Sequence, residues 1–206
     1  MTDARAQKTA LRQRMRATLA AIAPEDLARA SEAICNHLRA WPGYTRANSI
    51  LLFLPMLREC DLSPLAAAAI RAGKQILIPC VNWQTGAMTP VRITDPAADA
   101  PLDPRGVPCP RPDLPQAPLA SIDLVLVPGL SFDRRGGRLG RAAGFYDRLL
   151  SDPGRPTGAP VIGVALEAQI VDLVPTEGHD QPMDGLVTEN GLTVFEENPP
   201  GRPIQH

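Results

Sequence analysis

The sequence predicts an α/β fold whose sheet is mainly parallel, and two observations lead to this class. Short apolar runs alternate along the chain with longer segments whose apolar residues recur at helical spacing, which is the order expected of strands joined by crossover helices. The runs at residues 49–54 and 124–127 are continuously apolar, as in strands that are buried on both faces. Helices on both sides of such a sheet give a Rossmann-like three-layer sandwich.

Residues 1–72 contain three predicted helices and one strand. Residues 3–22 have apolar side chains at helical spacing, and a proline near the start of residues 24–38 favours a second helix there. The apolar run at 49–54 predicts a buried strand. Residues 61–72 predict a third helix, which begins at an acidic or hydroxyl cap and ends at Gly73.

The chain after Gly73 is richer in strands and contains one long proline-rich segment. Residues 75–80 predict a strand, and residues 87–93 predict a weaker one at the edge of the sheet. Residues 95–118 contain eight prolines, which exclude a helix or a central strand and indicate a long surface loop. Further strands are expected at residues 124–127, 161–166 and 192–195.

Length and composition set limits on the class of protein. The 206 residues suit one domain, which we expect to cover residues 1–197, with a disordered tail at 198–206. A formal net charge of −1 argues against a general nucleic-acid binder. No apolar run approaches the length of a membrane span, and we expect no membrane partner.

The terminal and cysteine patterns indicate the compartment. The N-terminus has no apolar segment of the kind that signal peptides carry, although its arginines leave a transit peptide open as the less favoured alternative. The four cysteines are widely spaced and form no CxxC pair, so a zinc site is not indicated and reduced thiols are expected. We therefore expect a cytoplasmic protein, and a monomer.

A loop rich in glycine and arginine is the most informative segment. Residues 129–141 contain four glycines and four arginines between an apolar run and the helix start at 144–148. Strand, glycine-rich loop and helix start form a geometry that holds phosphate, and arginine supplies bidentate charge. Neither a Walker A loop nor a GxGxxG pattern is present. An ordinary glycine-rich turn with solvated arginines therefore remains open.

Two other segments supply candidate binding residues. Lys8 and Arg12 lie on one face of the first helix, where they could bind phosphates or form a solvated basic face. Glu59 follows the strand that ends at Pro55, so it lies in a loop at the carboxyl edge of the sheet. There Glu59 could accept N–H donors from a substrate such as a pterin, or belong to a helix-capping acidic pair.

Acidic residues near the glycine-rich loop and near the C-terminus are candidate metal ligands. Asp147 offers an oxygen ligand for the magnesium that accompanies a nucleotide, and Asp180 could join it. His179 is either a ligand or an acid/base group, or an ordinary loop residue. No Ser-His-Asp or Cys-His set can be assembled, so covalent nucleophilic catalysis is not favoured.

Five blocks in order resemble the 5-formyltetrahydrofolate cyclo-ligase family, also called 5,10-methenyltetrahydrofolate synthetase. The longest block is PGLSFDRRGGRLGRAAGFYDR, at residues 128–148. The chain departs from the family pattern at Ala142, where glycine is usual, and at Cys109, where glutamate is usual. Cys60 and Met183 each stand in place of valine. The other matching blocks are KTALR at 8–12, PMLRECD at 55–61, PTEGHDQPMD at 175–184 and TE at 188–189.

The resemblance implies an enzyme that uses ATP and Mg²⁺ to convert 5-formyltetrahydrofolate into 5,10-methenyltetrahydrofolate, ADP and phosphate, through phosphorylation of the formyl oxygen. It implies catalytic roles for Arg141 and Arg138 and magnesium ligation by Asp147 and Asp180. The implied folate contacts are Leu54, Glu59, Phe145 and Tyr146. The implied ATP contacts are Lys8, Arg12, Arg138, Leu139, Gly140, Arg141, Ala142, Ala143, Gly144, Phe145 and Tyr146.

Two other functions remain open at this stage. One is a sugar-phosphate isomerase or CoA-transferase-like enzyme on a similar scaffold, since fold analogy alone does not determine function. The other is a catalytically weakened or regulatory protein that binds folate or nucleotide, which the departures at Ala142 and Cys109 keep open. ATP dependence would distinguish the isomerase class from the cyclo-ligase.

Overall fold

A computed structural model describes residues 4–141, 144–156 and 158–195. A seven-stranded sheet lies at its centre, and a separate two-stranded hairpin follows the fourth strand of the chain. The strands are β1 (Ser49–Leu51), β2 (Gln75–Val81), β3 (Met88–Ile93), β4 (Leu124–Pro128), β5 (Ser131–Phe132), β6 (Arg138–Leu139), β7 (Val161–Val164), β8 (Gly185–Thr188) and β9 (Gly191–Val194).

The helices differ widely in length. Among the residues that the structure describes, two long helices come first and four shorter ones follow, together with single 3₁₀ turns at Leu119–Ser121 and Glu167–Gln169. No helix in the described ranges is both long and apolar enough to cross a membrane. The helices are α1 (Ala4–Ala20), α2 (Pro24–Ala40), α3 (Pro42–Arg46), α4 (Ser63–Arg71), α5 (Pro96–Asp99) and α6 (Phe145–Leu150).

The sheet has the strand order β3-β2-β1-β4-β7-β8-β9. Its five inner strands pair in parallel, whereas β3 and β9 are antiparallel edge strands. Consecutive strand residues alternate between two apolar clusters: Ile50 and Ile76 pack into one, and Leu51 and Leu77 into the other. The sheet is therefore buried on both faces, and the predicted three-layer α/β fold is confirmed.

Several element boundaries differ from the sequence-based predictions. The strand expected at 49–54 ends at Leu51, and the one expected at 161–166 ends at Val164. The prediction that residues 95–118 contain no helix was wrong. Asp95 accepts hydrogen bonds from the backbone N–H groups of Ala97 and Ala98, and this cap supports the single turn of α5. Four short elements, α3, β5, β6 and β8, were not predicted from the sequence. The predicted tail at 198–206 lies outside the described residues.

The topology brings the candidate loops together. Because β1, β4 and β7 are parallel neighbours, their carboxyl ends lie at the same edge of the sheet. The loop that contains Glu59 follows β1. The hairpin, the glycine-rich segment and α6 follow β4. The sheet therefore places the two most informative sequence segments side by side.

Candidate active site

One cavity of about 390 Å³ opens at this edge of the sheet. It has a cationic side, formed by the segment after β6, and an apolar side, formed by β2, β3 and the loops near them. The Glu59 loop lies at the cavity as well. The lining residues are Phe53, Leu54, Met56, Glu59, Ile78, Pro79, Val81, Trp83, Met88, Val107, Pro108, Pro128, Gly129, Arg138, Gly140, Arg141, Gly144, Phe145, Tyr146 and Asp147.

A tight turn after β1 presents Glu59 to the cavity. The backbone N–H of Glu59 donates to the carbonyl of Met56 at 3.0 Å, and Arg58 takes a left-handed conformation with φ 67°. The Arg58 guanidinium donates to the carbonyl of Ile22 at 2.7 Å and so anchors the turn. One carboxylate oxygen of Glu59 accepts the Met56 N–H at 3.0 Å. The Glu59 carboxylate is therefore fixed through this oxygen, Oε2, and its other oxygen, Oε1, is left to bind a second donor.

The glycine pair at residues 136–137 builds a hairpin turn. Gly136 has φ 89°, a conformation that favours glycine. The Asp133 carboxylate accepts the backbone N–H groups of Arg135 and Gly137. A Cβ on Gly137 would lie 2.3 Å from this carboxylate. This half of the loop is thus the ordinary glycine-rich turn that the sequence left open, and its role is to position β6.

The turn places Arg138 in a buried position at the cavity. An Nη of Arg138 donates to Asp147 Oδ1 at 2.8 Å, and its guanidinium lies 5.7 Å from the centre of the Tyr146 ring. Arg138 Nε and the Tyr146 hydroxyl are buried and have no hydrogen-bond partner among the described residues. Buried polar groups normally have partners, so Arg138 Nε is a donor that an anionic ligand oxygen would satisfy.

Two further arginines join distant parts of the chain at the glycine-rich segment. Arg141 Nε donates to Glu59 Oε1 at 2.8 Å, and the Glu59 side chain is 8% exposed. Arg12, on α1, donates to the carbonyl of Gly140 at 3.1 Å. Gly144 has φ 63° and begins α6. Because α6 has only six residues, the arginines, and not a helix dipole, supply most of the positive charge here.

Lys8, one turn before Arg12 on α1, is buried, and its two ion-pair partners differ in exposure: the Asp180 side chain is 15% exposed and the Glu177 side chain 41%. Its ammonium group is 2.6 Å from Asp180 Oδ2 and 2.7 Å from Glu177 Oε2. Burial alone lowers the pKa of Lys8. The hydrogen bonds to Asp180 and Glu177 outweigh that effect and raise the pKa above its ordinary value. Lys8 is therefore charged at any physiological pH. We call Lys8, Arg12, Arg138 and Arg141 the cationic wall.

The segments that carry the two predicted magnesium ligands are in contact. The backbone N–H of Gln181, which follows Asp180, donates to Asp147 Oδ1 at 3.3 Å. Two carboxylates suit Mg²⁺, which usually takes one or two of them together with substrate phosphates and water. In the described ranges, no group of three or more His, Cys, Asp and Glu side chains is arranged to hold a metal ion. His179 is 73% exposed at its side chain and does not line the cavity.

Ring contacts organise the opposite side of the cavity, which we call the apolar wall. Trp83, in the turn between β2 and β3, meets Phe145 edge to face with 5.2 Å between ring centres. Arg105 lies 4.4 Å above the Trp83 ring, and Arg148 lies 5.2 Å from the Phe145 ring. Met88 of β3 completes this wall. Trp83 and Met88 were not predicted from the sequence, although an exposed tryptophan in a turn between two strands could have indicated a binding surface.

The structure brings most predicted site residues together. Leu54, Phe145 and Tyr146 line the cavity with the residues described above. Lys8, Arg12 and Asp180 do not line the cavity. Arg12 reaches it through Gly140, and the segment of Asp180, which pairs with Lys8, reaches it through the contact of Gln181 with Asp147. Leu139 is a correction, because its side chain packs into the core and does not line the cavity. The predicted ATP contacts Ala142 and Ala143 lie outside the described residues.

Comparison with known proteins gives one consistent result. The 5-formyltetrahydrofolate cyclo-ligase of Escherichia coli (strain K12) is 28% identical over 179 residues, which cover 86% of this chain and 96% of the relative. The Mus musculus 5-formyltetrahydrofolate cyclo-ligase is 28% identical over 190 residues, which cover 89% and 94% of the two chains.

A solved structure and a family sequence model agree with these relatives. The NMR structure of Aquifex aeolicus 5,10-methenyltetrahydrofolate synthetase matches with a TM-score of 0.79 and 27% identity, and covers 97% of this chain and 96% of that one. The sequence model of the 5-formyltetrahydrofolate cyclo-ligase family matches residues 4–189. That match spans most of the chain, so the chain belongs to the 5-formyltetrahydrofolate cyclo-ligase family of enzymes.

Proposed function

We propose that this enzyme converts 5-formyltetrahydrofolate into 5,10-methenyltetrahydrofolate and that the reaction consumes ATP with Mg²⁺. Family membership supports the folate reaction. The observation that carries the proposal is the 2.8 Å ion pair between Arg141 and Glu59. It brings a phosphate-binding type of side chain and an acceptor for pterin N–H groups together at one cavity.

The two walls suit the two substrates. The apolar wall offers Trp83, Phe145 and Met88 to the flat rings of a reduced folate. Glu59 offers a buried carboxylate to ring N–H donors, which fixes the orientation of the pterin. The cationic wall offers four positive side chains to a triphosphate. Each substrate therefore has its own surface, and the surfaces meet at Arg141 and Glu59.

The chemistry explains why such a cavity needs no protein nucleophile. The formyl group is a poor electrophile because its nitrogen donates into the carbonyl. Transfer of the γ-phosphoryl group to the formyl oxygen removes that resonance and creates a leaving group. This transfer breaks the bond between the γ-phosphorus and ADP. The second folate nitrogen then attacks the activated carbon and loses its proton to solvent as the new C–N bond forms, and the former formyl oxygen leaves as part of the phosphate. The protein must align the reacting atoms and neutralise charge.

The chain's own groups fit these tasks. Arg138 and Arg141 neutralise charge on the transferring phosphoryl group, and Arg138 Nε gains the acceptor that it lacks among the described residues. Burial raises the pKa of the Tyr146 phenol above its ordinary range, so Tyr146 stays protonated and cannot act as a base. Asp147 and Asp180 would hold the magnesium ion, which supplies further charge neutralisation at the phosphates.

The decisive experiment mixes protein, ATP, Mg²⁺ and 5-formyltetrahydrofolate and follows the near-ultraviolet absorbance of the methenyl product. We expect product formation that requires both ATP and Mg²⁺, with one ADP released for each methenyl group. Turnover without ATP would contradict the proposed chemistry. Absence of turnover together with tight folate binding would favour the weakened or regulatory relative. The cytoplasmic location and the monomeric state remain predictions.

A further inference from the structure

Lys8 is a charged residue on the apolar face of its helix. The buried residues of α1 are Lys8, Leu11, Met15 and Leu19, which recur at helical spacing and share one face. An apolar residue at position 8 would simply continue that face into the core. The chain instead buries an ammonium group and gives it two carboxylate partners. Burial of an ion pair carries a desolvation cost, so this choice calls for an explanation beyond packing.

The partners of Lys8 explain what the charge achieves. Asp180 Oδ2 accepts Lys8 Nζ at 2.6 Å and also the backbone N–H of Glu177 at 2.7 Å. The neighbouring carboxylate, Asp147, is neutralised in the same way by Arg138 at 2.8 Å. Both carboxylates that suit a divalent cation are thus already balanced by side-chain cations. A free divalent cation that approached these carboxylates would be repelled by the side-chain cations that already contact them.

We propose that Lys8 is an exchangeable counter-ion for the metal carboxylates. In the ligand-free protein its ammonium group neutralises Asp180 and Glu177, and when a nucleotide triphosphate arrives it moves to a phosphate oxygen. The vacated Asp180 carboxylate is then negative and, together with Asp147, binds the divalent cation that accompanies the nucleotide. Divalent cation binding therefore depends on the nucleotide. This inference rests on the proposed function only in assigning the cationic wall to a triphosphate.

The chemistry of lysine suits this exchange better than that of arginine. An ammonium group is a compact point charge on a flexible four-carbon stem, so it can change partners by rotating about its own bonds. Lys8 is one of only two lysines in a chain that carries 21 lysines and arginines. The other, Lys74, donates to the backbone carbonyl oxygens of Thr45 and Ala47 and forms no ion pair with a carboxylate of the described residues. Lys74 is therefore a matched control.

The test measures binding of Mn²⁺, a paramagnetic substitute for Mg²⁺, by the electron paramagnetic resonance signal of the free ion. Without nucleotide, we expect the wild-type protein to bind Mn²⁺ weakly. Lys8→Met should bind Mn²⁺ at least tenfold more tightly, because it removes the ammonium group that neutralises Asp180 and Glu177 and leaves beside Asp180 a histidine, His179 at 3.7 Å, that is positive only when protonated. Lys74→Met should behave as wild type. The double variant Lys8→Met/Asp180→Asn should lose most of the gain, because it removes one of the two carboxylates.

A second arm adds a non-hydrolysable ATP analogue. The wild-type protein should then bind Mn²⁺ at least tenfold more tightly than it does alone, beyond the affinity of the analogue itself for the ion. The proposal is overturned if Lys8→Met gains no affinity, if Lys74→Met gains as much, or if wild type binds Mn²⁺ equally well with and without the analogue. Thermal melts check folding, and Lys8→Gln replaces Lys8→Met if the latter unfolds.

These outcomes are separate from the test of the proposed function. The Mn²⁺ measurement contains no folate and requires no turnover. If methenyl product forms but Lys8→Met gains no affinity for Mn²⁺, only the exchange is wrong. If Lys8→Met gains affinity for Mn²⁺ but no methenyl product forms, the exchange is supported and the proposed folate reaction is wrong.

Discussion

The two walls of the cavity are held in place by different kinds of contact. In the cationic wall, Arg141 and Lys8 pair with carboxylates 82 and 172 residues away in the sequence. In the apolar wall, Met88 is held by the pairing of β2 with β3 and Trp83 by its contact with Phe145. A charged ligand can replace the first kind of contact, but not the second. The apolar wall is therefore preformed, and the cationic wall can rearrange.

The largest effect is expected when the cationic wall loses Arg141. Arg141→Ala should lower the rate of methenyl formation at least tenfold, or about 1.4 kcal/mol of barrier, because it removes charge from the transferring phosphoryl group. Arg135→Ala is the matched control, since Arg135 lies exposed in the hairpin turn. A normal rate in Arg141→Ala would show that the two walls do not meet at this residue during the reaction.

A smaller effect is expected from Asp147. Asp147→Asn keeps the shape of the side chain but removes the charge that pairs with Arg138. The Mg²⁺ concentration that gives half-maximal rate should rise about fivefold, equivalent to about 1 kcal/mol. Asp152→Asn, in the turn after α6, should leave the magnesium titration unchanged. An unaltered titration in Asp147→Asn would remove this residue from the set of metal ligands.

The apolar wall should respond more weakly and in a different parameter. Trp83→Ala removes ring contact that substrate and transition state share equally, so KM for the folate should rise about threefold while kcat stays the same. Trp83 is 47% exposed, and the variant should therefore keep its thermal stability. A fall in kcat that matches the rise in KM would mean that this wall, too, changes during the reaction.

The last prediction changes no rate and concerns a thiol behind the Glu59 turn. Burial raises the pKa of the Cys60 thiol to about 12, from an ordinary value of 9.0. Between pH 9 and about pH 12 the Cys60 thiol is deprotonated in the unfolded chain but protonated in the folded chain. The free energy of unfolding should therefore fall as pH rises through this range. Urea titrations at several pH values should show that the free energy of unfolding falls less with pH in Cys60→Val than in the exposed control Cys109→Ser.

The sequence predicted the fold well because local patterns carry the required information. The buried parallel strands are nearly continuous apolar runs, and α1 and α2 follow from helical spacing. In a parallel sheet the loops after the carboxyl ends of the strands lie at the same edge. The proximity of the Glu59 loop and the glycine-rich segment is therefore also a consequence of the predicted fold. The hairpin of β5 and β6 was missed because strands of two residues are too short to show a period.

The charge pairing within the site could not be predicted from local patterns. Sequence spacing identified Lys8, Arg141, Glu59 and Asp180 as candidates, each in its own segment. It did not indicate that Lys8 would pair with Asp180, or Arg141 with Glu59, because no local period links residues so far apart. Trp83 and Met88 of the apolar wall were missed for a related reason: Trp83 meets Phe145 only after β2, β3 and β4 have assembled.

The left-handed Arg58 has a consequence for protein engineering. A non-glycine residue in that conformation costs on the order of 1–3 kcal/mol, and here the guanidinium holds the turn by reaching Ile22, between α1 and α2. Insertions or deletions near position 22 would therefore loosen a carboxylate, Glu59, that lines the cavity 37 positions further along the chain. Libraries aimed at new folate analogues should keep that junction fixed, or replace Arg58 with glycine before altering it.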